Sequence, residues 1–180
     1  MAMGQHCSIL QIVGFQNSGK TTLMEKLISR ANQQGLKAAS IKHHGHGGVP
    51  KVDSSTKDST RHFKAGAIIS SVSGDGVLQL SARVDDLNLN EIIDLYKIFP
   101  IDVIFIEGYK REYYPKVVLI RDETDLQLLS SLSNIKCVIS HIKLDKDINN
   151  NYQVFQLNEE ESYIDFLIEE LVKTSDRKFV

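Results

Sequence analysis

The run Ser8-Ile9-Leu10-Gln11-Ile12-Val13-Gly14-Phe15-Gln16-Asn17-Ser18-Gly19-Lys20-Thr21-Thr22 holds three signals in a row. Its first six residues form a short apolar run, the composition of a strand. Gly14 through Thr21 then fits G-x-x-x-x-G-K-[ST] in full. After Lys20, the residues Leu23, Leu27, Ile28 and Ala31 recur on one face at helical spacing, and Gly35 is the expected stop. Strand, Gly-rich loop and helix in that order make a phosphate cradle. Glycines let consecutive backbone N–H groups turn inward toward phosphate oxygens, and the helix adds the positive end of its dipole. The candidate nucleotide contacts are therefore Gly14, Asn17, Ser18, Gly19, Lys20, Thr21 and Thr22. Lys20 is the point charge for β- and γ-phosphates, and the Thr21 hydroxyl is the candidate Mg²⁺ ligand.

Downstream, strands and helices alternate. Ala38 to Lys42 reads as a strand and Ser59 to Ala65 as a short helix. Ala67 to Ser73 and Val77 to Ala82 read as strands around the turn signal Gly74-Asp75-Gly76. Asn90 to Phe99 reads as a helix ended by Pro100. Asp102 to Ile106, Lys116 to Ile120 and Ile135 to Ile139 are apolar strands, with a short helix near Asp125 to Leu132. Tyr152 to Leu157 is a late edge strand, and Ile164, Leu167, Ile168, Leu171 and Val172 mark a last helix. Such a pattern predicts an α/β fold of the P-loop NTPase type: a mostly parallel sheet with helices on both faces, in a single nucleotide-binding domain over residues 1–180. Ligands of such sheets bind at the carboxyl ends of the strands, where the remaining motifs fall.

The strand Val103-Ile104-Phe105-Ile106 ends in Glu107, a candidate catalytic carboxylate that holds the metal ion or orients an attacking water. Asp53 and Asp58, in the polar stretch from His43 to Asp58, are further candidates for the same metal. Lys42 and His43 follow a strand and are expected near the phosphate loop. His43, His44 and His46 together also raise a zinc or nickel site, although no cysteine accompanies them. Lys110 and Arg111, directly after Glu107, are candidates for binding a second phosphate group or stabilising developing charge.

Composition narrows the classes further. The chain has 180 residues, 42% hydrophobic, and a formal net charge of −2, which argues against a general nucleic-acid binder. No apolar run approaches the roughly 20 residues that span a bilayer, so neither a membrane nor a nucleic-acid partner is expected. Cys7 and Cys137 are expected as reduced thiols of a cytoplasmic protein.

Taken in order, four segments resemble the molybdopterin-guanine dinucleotide biosynthesis protein B (MobB-type) family. They are Gly14 to Thr22, Lys42-His43 with His46, Lys57-Asp58-Ser59 followed by Ala65-Gly66-Ala67, and Glu107-Gly108-Tyr109-Lys110 with Pro115-Lys116. The resemblance covers roughly residues 8–120. It implies a small homodimeric protein that binds GTP and Mg²⁺, with low intrinsic GTPase activity. Its implied partners are the guanylyltransferase that joins GMP to molybdopterin, and molybdopterin or its guanine dinucleotide. By similarity Lys20 and Thr21 serve nucleotide and metal, and Glu107 takes the Walker B position. One departure is that Thr56-Lys57, rather than a glycine, precedes Asp58-Ser59. Three other readings compete. A small-molecule kinase lacks its usual Arg-rich lid here, because the arginines are scattered. A metallochaperone-type GTPase would use His43, His44 and His46. A scaffold would use the nucleotide only to order its loops.

Overall fold

A computed structural model describes residues 7–43 and 57–176. Its elements run β1 (Ser8–Val13), α1 (Lys20–Gln33), β2 (Ala38–Lys42), α2 (Lys57–Lys64), β3 (Ile69–Gly74), β4 (Val77–Ala82) and α3 (Leu89–Tyr96). They continue with β5 (Val103–Glu107), β6 (Lys116–Ile120), a 3-10 turn (Glu123–Leu126), α4 (Gln127–Ser131), β7 (Ile135–Ser140), α5 (Lys146–Asn151), β8 (Val154–Gln156) and α6 (Glu160–Asp176). The described residues fall into two compact units, one up to His43 and from Tyr96 onward, the other from Lys57 through Leu95.

The first unit is a six-stranded sheet in the order β2-β5-β1-β6-β7-β8. Every pairing in it is parallel. All six carboxyl ends therefore share one rim. The central strands are apolar on both faces because both faces are covered. On one face Leu10, Ile12, Val103, Phe105, Val117, Leu119 and Ile139 pack on Leu23, Leu27 and Ala31 of α1 and on Ile164, Leu167 and Ile168 of α6. On the other, Val118, Ile120 and Val138 meet Leu128 and Leu129 of α4 and Leu144, with Ile148 of α5 beside them. The mostly parallel sheet with helices on both faces is thus present as expected from the sequence.

Helix α1 stops where its caps dictate. Gly35 takes φ +77°, its N–H donates to the Asn32 carbonyl at 3.0 Å, and the Leu36 N–H reaches back to Ala31 at 3.0 Å. This is the six-to-one closure that a left-handed glycine allows. Cys7 and Cys137 are unpaired thiols, and burial raises them to about 11 and about 12.

In the second unit, β3 and β4 form the hairpin read from Gly74-Asp75-Gly76, with Asp75 and Gly76 both at positive φ. Several boundaries differ from the sequence reading by a residue or more. β3 begins at Ile69 rather than Ala67, and α3 ends at Tyr96 rather than Phe99, since the residue before Pro100 is pushed out of helical geometry. The late strand shrinks to Val154–Gln156, at the sheet edge as expected. Helix α5 is an addition that its polar, aperiodic six residues do not announce.

Candidate functional site

Gly14 leaves the carboxyl end of β1 and the loop closes at Gly19. A Cβ on Gly14 would lie 2.4 Å from the Ser18 Oγ and 3.2 Å from the Leu119 carbonyl oxygen, so only glycine fits without movement. Asn17 and Gly19 take φ +61° and +95°, which turns the backbone inward. Ser18 is fully buried and its Oγ has no hydrogen-bond partner among the described residues. A buried hydroxyl without a partner is costly unless something docks against it. Lys20 Nζ donates to the Phe15 carbonyl at 2.6 Å, folding back over its own loop. Burial lowers its pKa, and Glu107 partly opposes that effect.

Register brings the acid to the loop. Glu107 pairs with Lys42 across β2 and with Ile12 across β1, two residues before Gly14. Its side chain is 12% exposed and lies between two groups. Lys42 Nζ is 3.2 Å from one carboxylate oxygen, and the Thr21 hydroxyl donates to the other at 3.5 Å. The His43 N–H donates to the Glu107 carbonyl at 2.9 Å. Of the residues proposed from sequence, Lys20, Thr21, Lys42, His43 and Glu107 therefore stand on one rim. Thr22 sits exposed at the start of α1. Asp53, His44 and His46 lie outside the described residues. Asp58 opens α2, where it faces Arg61 at 3.9 Å.

Lys110 joins the site through the loop. Its ammonium rests 4.0 Å from the centre of the Phe15 ring, a cation–π contact, and burial lowers its pKa. Arg111 is exposed.

The chain between Glu107 and Lys116 is pinned from below. Gln11 is fully buried in β1, and its amide nitrogen donates to the Gly108 and Tyr109 carbonyls at 3.1 and 2.8 Å. Gly108 takes φ +94°, and a Cβ there would come within 2.9 Å of the His43 Cβ. The Tyr109 ring then packs against His43, tilted by 49° with 4.5 Å between centroids. Lys116 is wholly buried and donates to the Tyr114 carbonyl at 2.9 Å and to that of Glu112. On the other flank, Arg121 Nη1 donates to the Gln16 carbonyl at 3.2 Å, and the buried Asp125 accepts from the Arg121 N–H at 2.8 Å. His141 Nε2 donates to the Ser18 carbonyl at 3.2 Å, which assigns the proton to Nε2. The result is a glycine-turned loop with Lys20 folded over it and a hydroxyl–carboxylate pair beside it.

The sequence pattern defining "Molybdopterin guanine dinucleotide synthesis protein B" (MobB) matches residues 9–141. The chain belongs to the MobB family. It is 39% identical, over 95% of its length and 97% of the relative's, to the probable molybdopterin-guanine dinucleotide biosynthesis adapter protein of Bacillus subtilis. It is 29% identical to the Escherichia coli molybdopterin-guanine dinucleotide biosynthesis adapter protein, over 92% and 94% of the two chains. Its structure superposes on the crystal structure of a MobB protein homolog from Bacillus stearothermophilus with a TM-score of 0.76 and 35% identity, covering 92% of this chain and 98% of that one. The MobB resemblance seen in the four motif segments is therefore established, and with it the P-loop NTPase type of the sheet.

Four residues of this MobB site escaped the sequence reading: Gln11, Arg121, Asp125 and His141. Gln11 does leave a trace, as an amide in the middle of a strand otherwise apolar on both faces. Arg121, Asp125 and His141 follow the ends of β6 and β7, but nothing local distinguishes them from solvated polar residues.

Proposed function

We propose that this chain is a GTP-binding adapter of molybdenum cofactor synthesis, one that assists the guanylyltransferase forming molybdopterin guanine dinucleotide. The single observation carrying the reading is the Glu107 carboxylate, set between the Thr21 hydroxyl and the Lys42 ammonium beside a complete phosphate loop. The loop fits a triphosphate on its own terms: the partnerless Ser18 Oγ and the Cβ-excluding turn at Gly14 are features of a cradle. Thr21 and Glu107 would hold Mg²⁺, which neutralises charge on the β- and γ-phosphates when bound. Lys20 leaves Phe15 for the phosphates, and Lys110 adds a second cation. Glu107 is already engaged by Lys42 and Thr21, and this agrees with slow turnover in the absence of a partner. The relatives' names support the placement in molybdopterin guanine dinucleotide synthesis. We place the protein in the cytoplasm, where that partner enzyme and GTP meet; no helix of the described residues is long and apolar enough to cross a membrane.

Two copies are proposed to associate through the β3–β4 hairpin. Across its register Ile69 faces Ala82, Ser71 faces Leu80 and Ser73 faces Leu78, so Ile69, Leu78 and Leu80 share one face. All three are more than half exposed. A two-stranded ribbon is marginal alone and gains from a further strand or a covering surface. A second copy supplies both.

Calorimetric titration of GTP and of ATP with Mg²⁺ tests the nucleotide reading, with Lys20→Ala as control. GTP binding that exceeds ATP binding and is lost in the variant supports it. Preference for ATP would move the chain to the kinase class.

A further inference from the structure

Residues 108–115 join β5 to β6 and bring Lys110 to the phosphate loop. The outward side chains of this segment do not fix it. Arg111 is exposed and Tyr113 is 76% exposed, so neither adds packing that would hold the backbone. Gly108 and Tyr109 both take positive φ, +94° and +50°. For a tyrosine that conformation is sparsely populated and persists only where the surroundings impose it.

Gln11 imposes it from below. Its amide nitrogen donates to the carbonyls of Gly108 and Tyr109. Its backbone N–H donates to the Pro115 carbonyl at 2.8 Å. One fully buried residue thus ties down both ends of the segment. The Tyr109 carbonyl also accepts from the Glu112 N–H at 3.0 Å, which closes a turn over Lys110 and Arg111. Lys116 stands beside Gln11 in the register of β1 and β6, and it holds the Glu112 and Tyr114 carbonyls from the same floor. The core gains nothing from this amide. Its Oε1 is buried without a partner among the described residues, a cost that an apolar side chain in the strand would avoid.

What the turn secures is a charge. Lys110 Nζ rests on the Phe15 ring while Lys20 Nζ donates to the Phe15 carbonyl, so both ammonium groups lean on one residue of the loop. Lys110 and Lys42 each disfavour the charged form of Lys20 by repulsion. Like charges gathered this closely push an untethered segment away. A polyanion turns the same arrangement into attraction. A cation that is to stay close before the anion arrives needs an anchor beneath it.

We propose that Gln11 is a positioning residue: its buried amide sets the turn at Gly108 and Tyr109 and so holds the Lys110 ammonium at the phosphate loop in advance of the triphosphate. The role rests on the nucleotide reading above and extends it to a residue that touches no ligand. Placement in advance raises affinity by removing the ordering cost at binding.

A double-mutant cycle on the full chain tests it, with GTP and Mg²⁺ titrated well below the thermal midpoint of every variant. Gln11→Met keeps the length of the side chain and removes the donor, and Lys110→Ala removes the charge. Lys110→Ala should lower GTP affinity about ten-fold, the scale of one charge-assisted contact. Gln11→Met should cost about three-fold or more in the wild-type chain and nothing further in the Lys110→Ala chain, the coupling expected of residues that act through one another. A loss of the same size in both backgrounds means that Gln11 acts through the fold at large, and overturns the role. So does an unchanged affinity in either single variant. Wild type that binds no GTP overturns the nucleotide reading itself, and this role with it. A second measurement needs neither ligand nor variant. In the free wild-type protein, the Lys110 Cε protons should resonate upfield of those of the other lysines, shielded by the Phe15 ring. Lys110 protons that keep ordinary lysine positions until GTP is added would refute the advance placement.

Discussion

At the scale of single residues, Gly14 and Lys20 set the sharpest expectations. Gly14 is required by space alone. A methyl there meets the Ser18 Oγ at 2.4 Å and a backbone carbonyl at 3.2 Å, so Gly14→Ala should cost about 1–3 kcal/mol of overpacking and open the cradle. Urea unfolding and phosphate binding measure the two effects. Ser18→Ala in the same chain removes the nearer clash and should restore part of the stability, a coupling of about 0.5 kcal/mol or more in a double-mutant cycle. Lys20 and Lys110 make a prediction in pH. Burial holds both below the ordinary lysine value in the free protein. Phosphate favours the charged ammonium, so their pKa values rise on binding and the complex carries more protons than the free protein. Triphosphate affinity should therefore fall as pH rises through the lowered free-state values, with proton uptake in that window and none well below it. Calorimetry in buffers of different ionisation heat reads the uptake directly. Lys20→Arg, which does not titrate there, should shrink it.

At the scale of elements, the contrast between glycines continues at the end of α1. Nothing lies within 4 Å of a Cβ built on Gly35, but its φ is +77°. Gly35→Ala should thus cost about 1–2 kcal/mol from backbone conformation alone, seen as a lower Tm with nucleotide affinity unchanged. Salt should not alter that cost. It should weaken the ties between α1 and α6, where Lys26 meets Glu160 and Arg30 meets Glu161 and Asp165, each exposed pair contributing about 0.2–1 kcal/mol. Elements also show what a sequence can and cannot reveal. The phosphate loop and the strand ending in Glu107 were legible because their signals are contiguous: a six-residue run with four apolar residues, then glycines at fixed offsets, or four apolar residues and an acid. The hairpin was legible from Gly74-Asp75-Gly76 for the same reason. What supports the site was not. Gln11 acts on carbonyls 97 and 98 residues away, Arg121 on one 105 away and His141 on one 123 away. Such partners exist only once the parallel register has placed the strand ends side by side.

At the scale of the whole molecule, Leu78 and Leu80 on the exposed face of the hairpin are proposed to be covered by a second copy. Sedimentation should give twice the 20.3 kDa chain mass for the wild type. Leu78→Asp with Leu80→Asp should give a single chain whose far-ultraviolet dichroism is unchanged. A dimer surviving both substitutions would move the interface elsewhere. The two thiols make this surface easy to watch. With pKa values of about 11 and about 12, Cys7 and Cys137 are almost wholly protonated at neutral pH, and only the thiolate attacks an alkylating reagent. The native background is chemically silent. A Val77→Cys substitution, on the other, exposed face of the hairpin, would therefore add one fast-reacting handle to the unmodified chain, and a fluorophore attached there would report association without removing a native cysteine first.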